Sequence, residues 1–175
     1  MKKTGIVGIL GLLVITSGCK EIDDLLTFTI NHQVTFQIEN SSPINLPIEI
    51  LTPEVATNST QTFQNNNTSA NLVKDIKLQE IKLTVENPAG KTFSFLKSIK
   101  LYISTGQTSE IELASLDDIP PSATVITLVP TNAKLDAFIK ASSYQLRTSL
   151  VMRETLTQTL DIKTDLEFKV TASPR

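Results

Sequence analysis

From Tyr144 to Ala172 the apolar side chains keep to even positions: Tyr144, Leu146, Leu150, Met152, Leu156, Leu160, Ile162, Leu166, Phe168 and Val170. The odd positions are almost wholly polar, so the stretch has one apolar face with a period of two, the period of a strand and not of a helix. As one unbroken strand it would run on the order of 95 Å, too long for a small domain. The chain must turn, and the even positions must stay on the buried face when it does. A two-residue hairpin would set even positions opposite odd ones, whereas an odd-length loop preserves the pattern. This predicts a long C-terminal hairpin with its connection at Glu154 to Gln158, one face buried and one wet. Arg147, Arg153, Asp161, Lys163, Asp165, Glu167 and Lys169, all on odd positions, make the solvated face.

The same period governs most of what precedes. Thr27 to Glu39 places Phe28, Ile30, Val34, Phe36 and Ile38 on one face of a strand or two-strand unit, and the alternation lapses at Asn31-His32-Gln33. Asn40-Ser41-Ser42-Pro43 has turn composition. Pro43 and Pro47 push the next candidate strand, Ile44 to Leu51, to a sheet edge, because proline has no N–H to give a neighbour. Within Val73 to Glu86 the apolar residues move from even positions (Ile76, Leu78) to odd ones (Ile81, Leu83, Val85). One extra residue at Gln79-Glu80, a β-bulge, is the simplest way to keep a single face inward. Asn87-Pro88-Ala89-Gly90 fits a type I turn. Phe93, Phe95, Ile99, Leu101 and Ile103 then share a face, and the two flanking segments are expected to pair as an antiparallel hairpin.

Thr105-Gly106-Gln107 turns the chain into a strand at Glu110 to Ala114, and the rigid loop Asp117-Asp118-Ile119-Pro120-Pro121 precedes another at Thr124 to Val129. Thr131 to Ser142 reads as a three-turn helix: Leu135, Phe138 and Ile139 fall at i, i+3 and i+4, with Thr131 or Asn132 as N-cap. Residues 52–71 are polar apart from residues such as Val55 and Phe63. A long mobile loop is expected there, and loops of that length are either functional or disordered.

The amino terminus is of another kind. Lys2 and Lys3 precede a ten-residue apolar run, Ile6 to Ile15. As helix the run reaches only about 15 Å, half the hydrocarbon core of a bilayer, which fits a cleaved export signal rather than a permanent span. Ile15-Thr16-Ser17-Gly18-Cys19 resembles the lipobox of bacterial lipoproteins. The resemblance implies a diacylglyceryl group on Cys19 and cleavage just before it. Thr16 stands where many lipoboxes carry Leu, which leaves cleavage without lipid as the alternative. Cys19 is the only cysteine in the chain, so no intrachain disulfide can form. Two or more acyl chains, at about 0.8 kcal/mol per buried methylene, would hold a protein on a membrane essentially permanently. The next residues, Lys20-Glu21-Ile22-Asp23-Asp24, resemble the surface-export signal of Bacteroidota lipoproteins, with Ile22 interrupting the acidic pattern; a solvated charged linker is the other reading.

The chain thus divides into a signal at 1–18, an acylated tether at 19–26 and a domain at 27–175. The expected fold is mainly β: an antiparallel β-sandwich with one short helix, after an N-terminal signal helix. The segment from Asn87-Pro88 to Lys97-Ser98-Ile99-Lys100-Leu101-Tyr102-Ile103 resembles the start of a late-embryogenesis-abundant type 2 domain. That resemblance covers about thirty residues and implies a small sandwich related in shape to immunoglobulin-like domains.

Without residues 1–18 the chain carries 14 basic and 18 acidic side chains, a formal charge of −4, which argues against a nucleic-acid partner. Trp is absent and aromatics make up 5%, which leaves little with which to stack sugars. His32 is the one histidine, too few for the imidazole clusters of most catalytic metals, and no Gly-X-Ser-X-Gly elbow or Gly-rich phosphate loop accompanies it. Asp117 and Asp118 are adjacent, lack calcium-loop spacing and read as a structural acidic loop. No catalytic, metal or cofactor site is expected. The expectation is a non-enzymatic lipoprotein on the outer membrane, on its periplasmic face or the cell surface, with the membrane as partner through Cys19. A structural or binding role through residues 52–71 and the sandwich ends comes first. A carrier of lipid or another apolar ligand between splayed sheets is the alternative, and a hydrolase the remotest.

Overall fold

The computed structural model describes residues 25–175. The signal, Cys19 and the charged residues after it lie outside the described residues. β1 (Leu26–Ile38), β2 (Pro47–Leu51) and β3 (Val55–Ala56) lead to a short helix, α1 (Ser59–Asn65). β4 (Val73–Asn87), β5 (Leu96–Ser104), β6 (Ile111–Leu116), β7 (Val125–Thr127) and β8 (Val129–Pro130) come next. A single helical turn, α2 (Asp136–Ile139), precedes β9 (Ser143–Met152) and β10 (Leu160–Ala172).

The strands form two antiparallel sheets, β1-β10-β4-β7 and β2-β9-β5-β6-β8, with β3 also paired to β9. The antiparallel β-sandwich expected from the period-two pattern is the fold. With the two-residue strands β3 and β8 set aside, the eight others run 1-8-3-6 in one sheet and 2-7-4-5 in the other. That is the order of a jelly roll and differs from the immunoglobulin arrangement. The core is one continuous cluster between the sheets. Its largest fully enclosed side chains include Tyr144, Phe63, Phe93 and Phe168.

Several expectations from the pattern are met. Phe28, Ile30, Val34, Phe36 and Ile38 share the inward face of β1 as expected, and that strand pairs with β10 from Leu26 opposite Ala172 to Ile38 opposite Leu160. β10 jumps from Glu80 to Leu78 as its partners in β4, leaving Gln79 as the extra residue of a bulge. β2 is the edge strand next to β9, and β5 and β6 form a hairpin whose connection, residues 105–110, contains the Thr105–Thr108 hydrogen bonds.

Both long hairpins, however, are absent. β9 and β10 lie in different sheets, and so do β4 and β5. The parity argument at 154–158 asked only that Met152 and Leu160 both point inward, and both are buried. An arch that carries the chain across the end of the sandwich meets that condition as well as a hairpin does, because the two strands then face each other through the core. Phe93 and Phe95 mark the other arch: they are buried in the connection after β4, where a hairpin tip would have held them in water. The expected strand at 124–129 is likewise split. The chain pairs with β4 through β7 and, one residue later, with β6 through β8.

The helix expected over 131–142 shrinks to α2. Thr131 is not its N-cap; the Thr131 hydroxyl donates to the carbonyls of Glu112 and Leu113, and Asn132 takes a left-handed backbone (φ 60°) that ends any helix there. The apolar set expected to face inward, Leu135, Phe138 and Ile139, is nonetheless buried. Among the described residues there are thus two short helices, α1 and α2, where one was expected.

Candidate functional site

β1 passes through Asn31-His32-Gln33 without a break, and His32 sits on its inward face. The lapse in alternation was a lapse in hydrophobicity only. The His32 Nδ1 lies 2.7 Å from the Tyr144 hydroxyl on β9, so the two sheets are joined by a polar link through the core. Its ring stacks on Tyr144 with centroids 5.5 Å apart and meets the edge of Phe168 at 5.6 Å. Burial lowers the imidazole pKa below its ordinary value, with a hydrogen bond to the Thr57 backbone acting in the opposite sense. Burial likewise pushes the Tyr144 hydroxyl up. Burial thus disfavours the charged form of the half-buried His32, whose ring links β1 to β9.

Residues 52–71 are not a loop free of the core. They contribute β3 and α1 and pack against the start of β1, through Phe28, and the chain just after β10, through Ser173. Phe63 on α1 packs edge-on against Phe28 at 6.4 Å and is 1% exposed. Val55 also packs half-buried against the core, and the other anchors are polar. The Thr57 hydroxyl donates to the Ala141 carbonyl at 2.5 Å and accepts from the Ser59 N–H at 3.3 Å. Thr52 exchanges hydrogen bonds with the backbone of Leu146, at 3.2 and 3.1 Å. The Thr68 hydroxyl donates to Ser173 at 2.7 Å. Thr52, Thr57, Ser59 and Thr68 are all buried. The signal that was missed is therefore hydroxyls matched to carbonyls, a pairing that leaves no hydrophobic trace in the sequence.

On the outer face of the β2 sheet, Arg147 is the hub of a charge network. Its Nε and Nη2 donate to the Glu110 carboxylate at 2.9 and 2.6 Å, its Nη1 donates to Glu49, and its guanidinium lies 4.1 Å from the centre of the Tyr102 ring. The Arg147 hydrogen bonds hold the Glu110 carboxyl below its usual range. Ser149 also donates to Glu49, at 2.6 Å. Arg153, expected on the solvated face, instead turns in at the β9–β10 arch. Its Nη2 donates to the carbonyls of Leu96 and Ile119 at 2.7 and 2.6 Å, which ties the arch to two neighbouring segments.

Asp117 and Asp118 are exposed, and Asp118 takes a left-handed turn (φ 52°). Among the described residues no three of His, Cys, Asp and Glu come together as a metal site. A depression of about 320 Å³ on the outer face of the β1 sheet is lined by Asn31, Gln33, Glu80, Lys82, Asp165 and Glu167 among others. Its polar groups are engaged within the chain: Lys82 donates to Glu80 at 2.6 Å and Gln79 to Glu167 at 2.8 Å. A second depression, about 450 Å³, lies where Glu54, the β5–β6 turn and Ala141 to Ser143 meet. Both open on the surface, outside the space between the sheets.

No family model matches this chain, and no curated protein matches it. Solved structures that it resembles include a chain of desmodium yellow mottle tymovirus, at 13% identity over 100% of this chain and 98% of that one, with a TM-score of 0.32. Another is the capsid protein of BFDV in its decameric form, at 11% identity over 85% and 99% of the two chains, with a TM-score of 0.42. A chain of Cocksfoot mottle virus, at 9% identity over 100% and 96%, scores 0.31. Similarity at this level says nothing about function.

Proposed function

We propose that this chain is a lipid-anchored, non-enzymatic lipoprotein working outside the cytoplasm, tethered to the outer membrane by acyl chains on Cys19, with a structural or binding role. The observation that carries the reading is the chain's single cysteine, placed directly behind Ile15-Thr16-Ser17-Gly18 and a ten-residue apolar run too short to span a bilayer. Chain geometry fits an anchor there. β1 begins at Leu26, seven residues after Cys19, so an acylated Cys19 holds the start of β1 within about 25 Å of the lipid surface. A non-enzymatic role agrees with how the reactive side chains are used. His32 and Tyr144 are committed to each other between the sheets, and Arg147 is committed to Glu49 and Glu110.

The test is metabolic labelling with a palmitate analogue in a bacterium that processes lipoproteins. Wild-type protein is expected to take the label and Cys19→Ala to lose it; an unlabelled wild type would refute the anchor. Protease shaving of intact cells then assigns the face. Digestion of the domain without lysis places it on the cell surface, as the acidic run after Cys19 favours, and protection places it on the periplasmic side.

A further inference from the structure

The two sheets have four outer edges, and three of them are short or blunted. β7 pairs over three residues and β8 over two, while β2 has five residues and carries Pro47 and Glu49. The fourth is different. β1 runs for thirteen residues, Leu26 to Ile38, with no Pro, no Gly and no Asp, Glu, Lys or Arg. It pairs with β10 along one side in unbroken register. Among the described residues no backbone hydrogen bond joins its other side to the chain. An uncharged edge of roughly 43 Å is an unfilled template for another strand, and proteins ordinarily protect such edges with charge, proline or a bulge.

A second observation falls on the same margin of the molecule. Leu25, Ile44, Leu46 and Leu51 are among the few large apolar side chains left exposed, from 42% to 60%. Leu25 precedes β1. The other three lie on or just before β2, the edge strand of the facing sheet beside β1. Apolar side chains thus flank the open edge of β1, and the margin is both hydrogen-bonding and hydrophobic.

We propose that β1 pairs antiparallel with β1 of a second copy of this chain, about a two-fold axis at His32, joining two four-stranded sheets into one of eight. β1 is complementary to itself in that register. Leu26 faces Ile38, Phe28 faces Phe36 and Ile30 faces Val34 on the inner side; Thr27 faces Gln37, Thr29 faces Thr35 and Asn31 faces Gln33 on the outer side. Even positions stay opposite even ones, so each apolar face continues across the junction. No charge opposes a like charge, and on the order of a dozen backbone hydrogen bonds can form. β10 is no candidate for the same role, because it is an interior strand paired on both sides, with β1 and with β4. The inference is independent of the lipid anchor.

Two substitution pairs at exposed outward positions test it without touching the core. Thr29→Glu with Thr35→Glu sets like charges opposite one another twice in the dimer, while in the single chain they face Lys169 and Lys163 of β10. Thr29→Glu with Thr35→Lys sets opposite charges against one another twice. Sedimentation of the full chain, purified in detergent, is expected to give a dimer for the wild type and for the Glu/Lys variant. The Glu/Glu variant is expected to dissociate at a concentration about tenfold higher or more. Circular dichroism matching the wild type confirms that the loss is one of pairing and not of folding. A monomeric wild type would overturn the proposal, leaving the edge to a strand from another protein. So would a Glu/Glu variant that stays dimeric, or two variants that dissociate alike.

Discussion

The middle of the sandwich and the segment at 52–71 are both buried, but they are held by different physics. In the middle, Phe168, Leu83, Ile81 and Ile162 are sealed between two sheets mainly by apolar area, with the His32–Tyr144 link beside Phe168 as the polar exception. At 52–71 one aromatic, Phe63, is inserted, and the surrounding enclosed side chains are Thr52, Thr57, Ser59 and Thr68. There each hydroxyl is paired with a backbone group. The first region depends on how fully its apolar side chains fill the space between the sheets. The second depends on a few directional bonds, so it is the part of the molecule that should open first. The middle also contains the reverse case. Thr148 and Thr164 face inward at 0% and 1% exposure, and neither hydroxyl has a hydrogen-bond partner among the described residues.

The largest effects should separate the two regions by extent of unfolding. Phe168→Ala leaves a cavity against His32 and Tyr144 and is expected to cost about 3–5 kcal/mol of global stability, read from chemical denaturation. Phe63→Ala removes a comparable volume, but its effect should be local. Hydrogen exchange is expected to rise across residues 55–72 while the amides of β10 stay protected. Equal loss of protection in both regions would mean that the sandwich and its closing segment unfold as one unit.

A substitution of one kind should then act with opposite sign in the two places. Thr57→Val removes the donor to Ala141 and the acceptor for Ser59, and is expected to destabilise by about 1–3 kcal/mol. Thr164→Val removes a hydroxyl that is buried without a partner and should be neutral or stabilising by about 1 kcal/mol. The same denaturation experiment decides both.

The smallest effect is a dependence on pH. His32 has its folded pKa depressed by burial, so the unfolded chain takes up the proton first as pH falls. Its contribution to stability is complete above the unfolded value of about 6.5 and declines below it, by at most about 1.4 kcal/mol per pH unit. Stability measured between pH 7 and pH 5 should therefore slope downward in the wild type and lose that slope in His32→Gln. Glu110, whose pKa is also depressed, acts in a separate and more acidic window: its contribution is lost as pH falls through its folded value, below the ordinary carboxylate range.

The inward faces were legible in the sequence because burial in a sheet obeys a period of two. The even residues of β1, β9 and β10, the parity shift at Gln79 and the edge position of β2 all follow from it. The pairing partners were not legible. Parity fixes which side chains point inward, yet it is blind to whether a turn returns the chain beside itself or across the core. Phe93 and Phe95 in a connection were the available sign of an arch. The ordered state of 52–71 was hidden for another reason: a threonine bonded to a carbonyl and a threonine in water are the same letter. His32 was hidden in the same way, since its inward position was visible by parity but its polarity argued against a buried place. Among the site residues, Cys19 rests on the sequence alone, because it lies outside the described residues.

The most direct test of the account is the mass of the amino-terminal peptide of the protein isolated from membranes. The expected peptide begins at Cys19, lacks residues 1–18 and carries a thioether-linked diacylglyceryl group. A peptide that retains Met1, or one that begins at an unmodified Cys19, would contradict the anchor and the reading built on it.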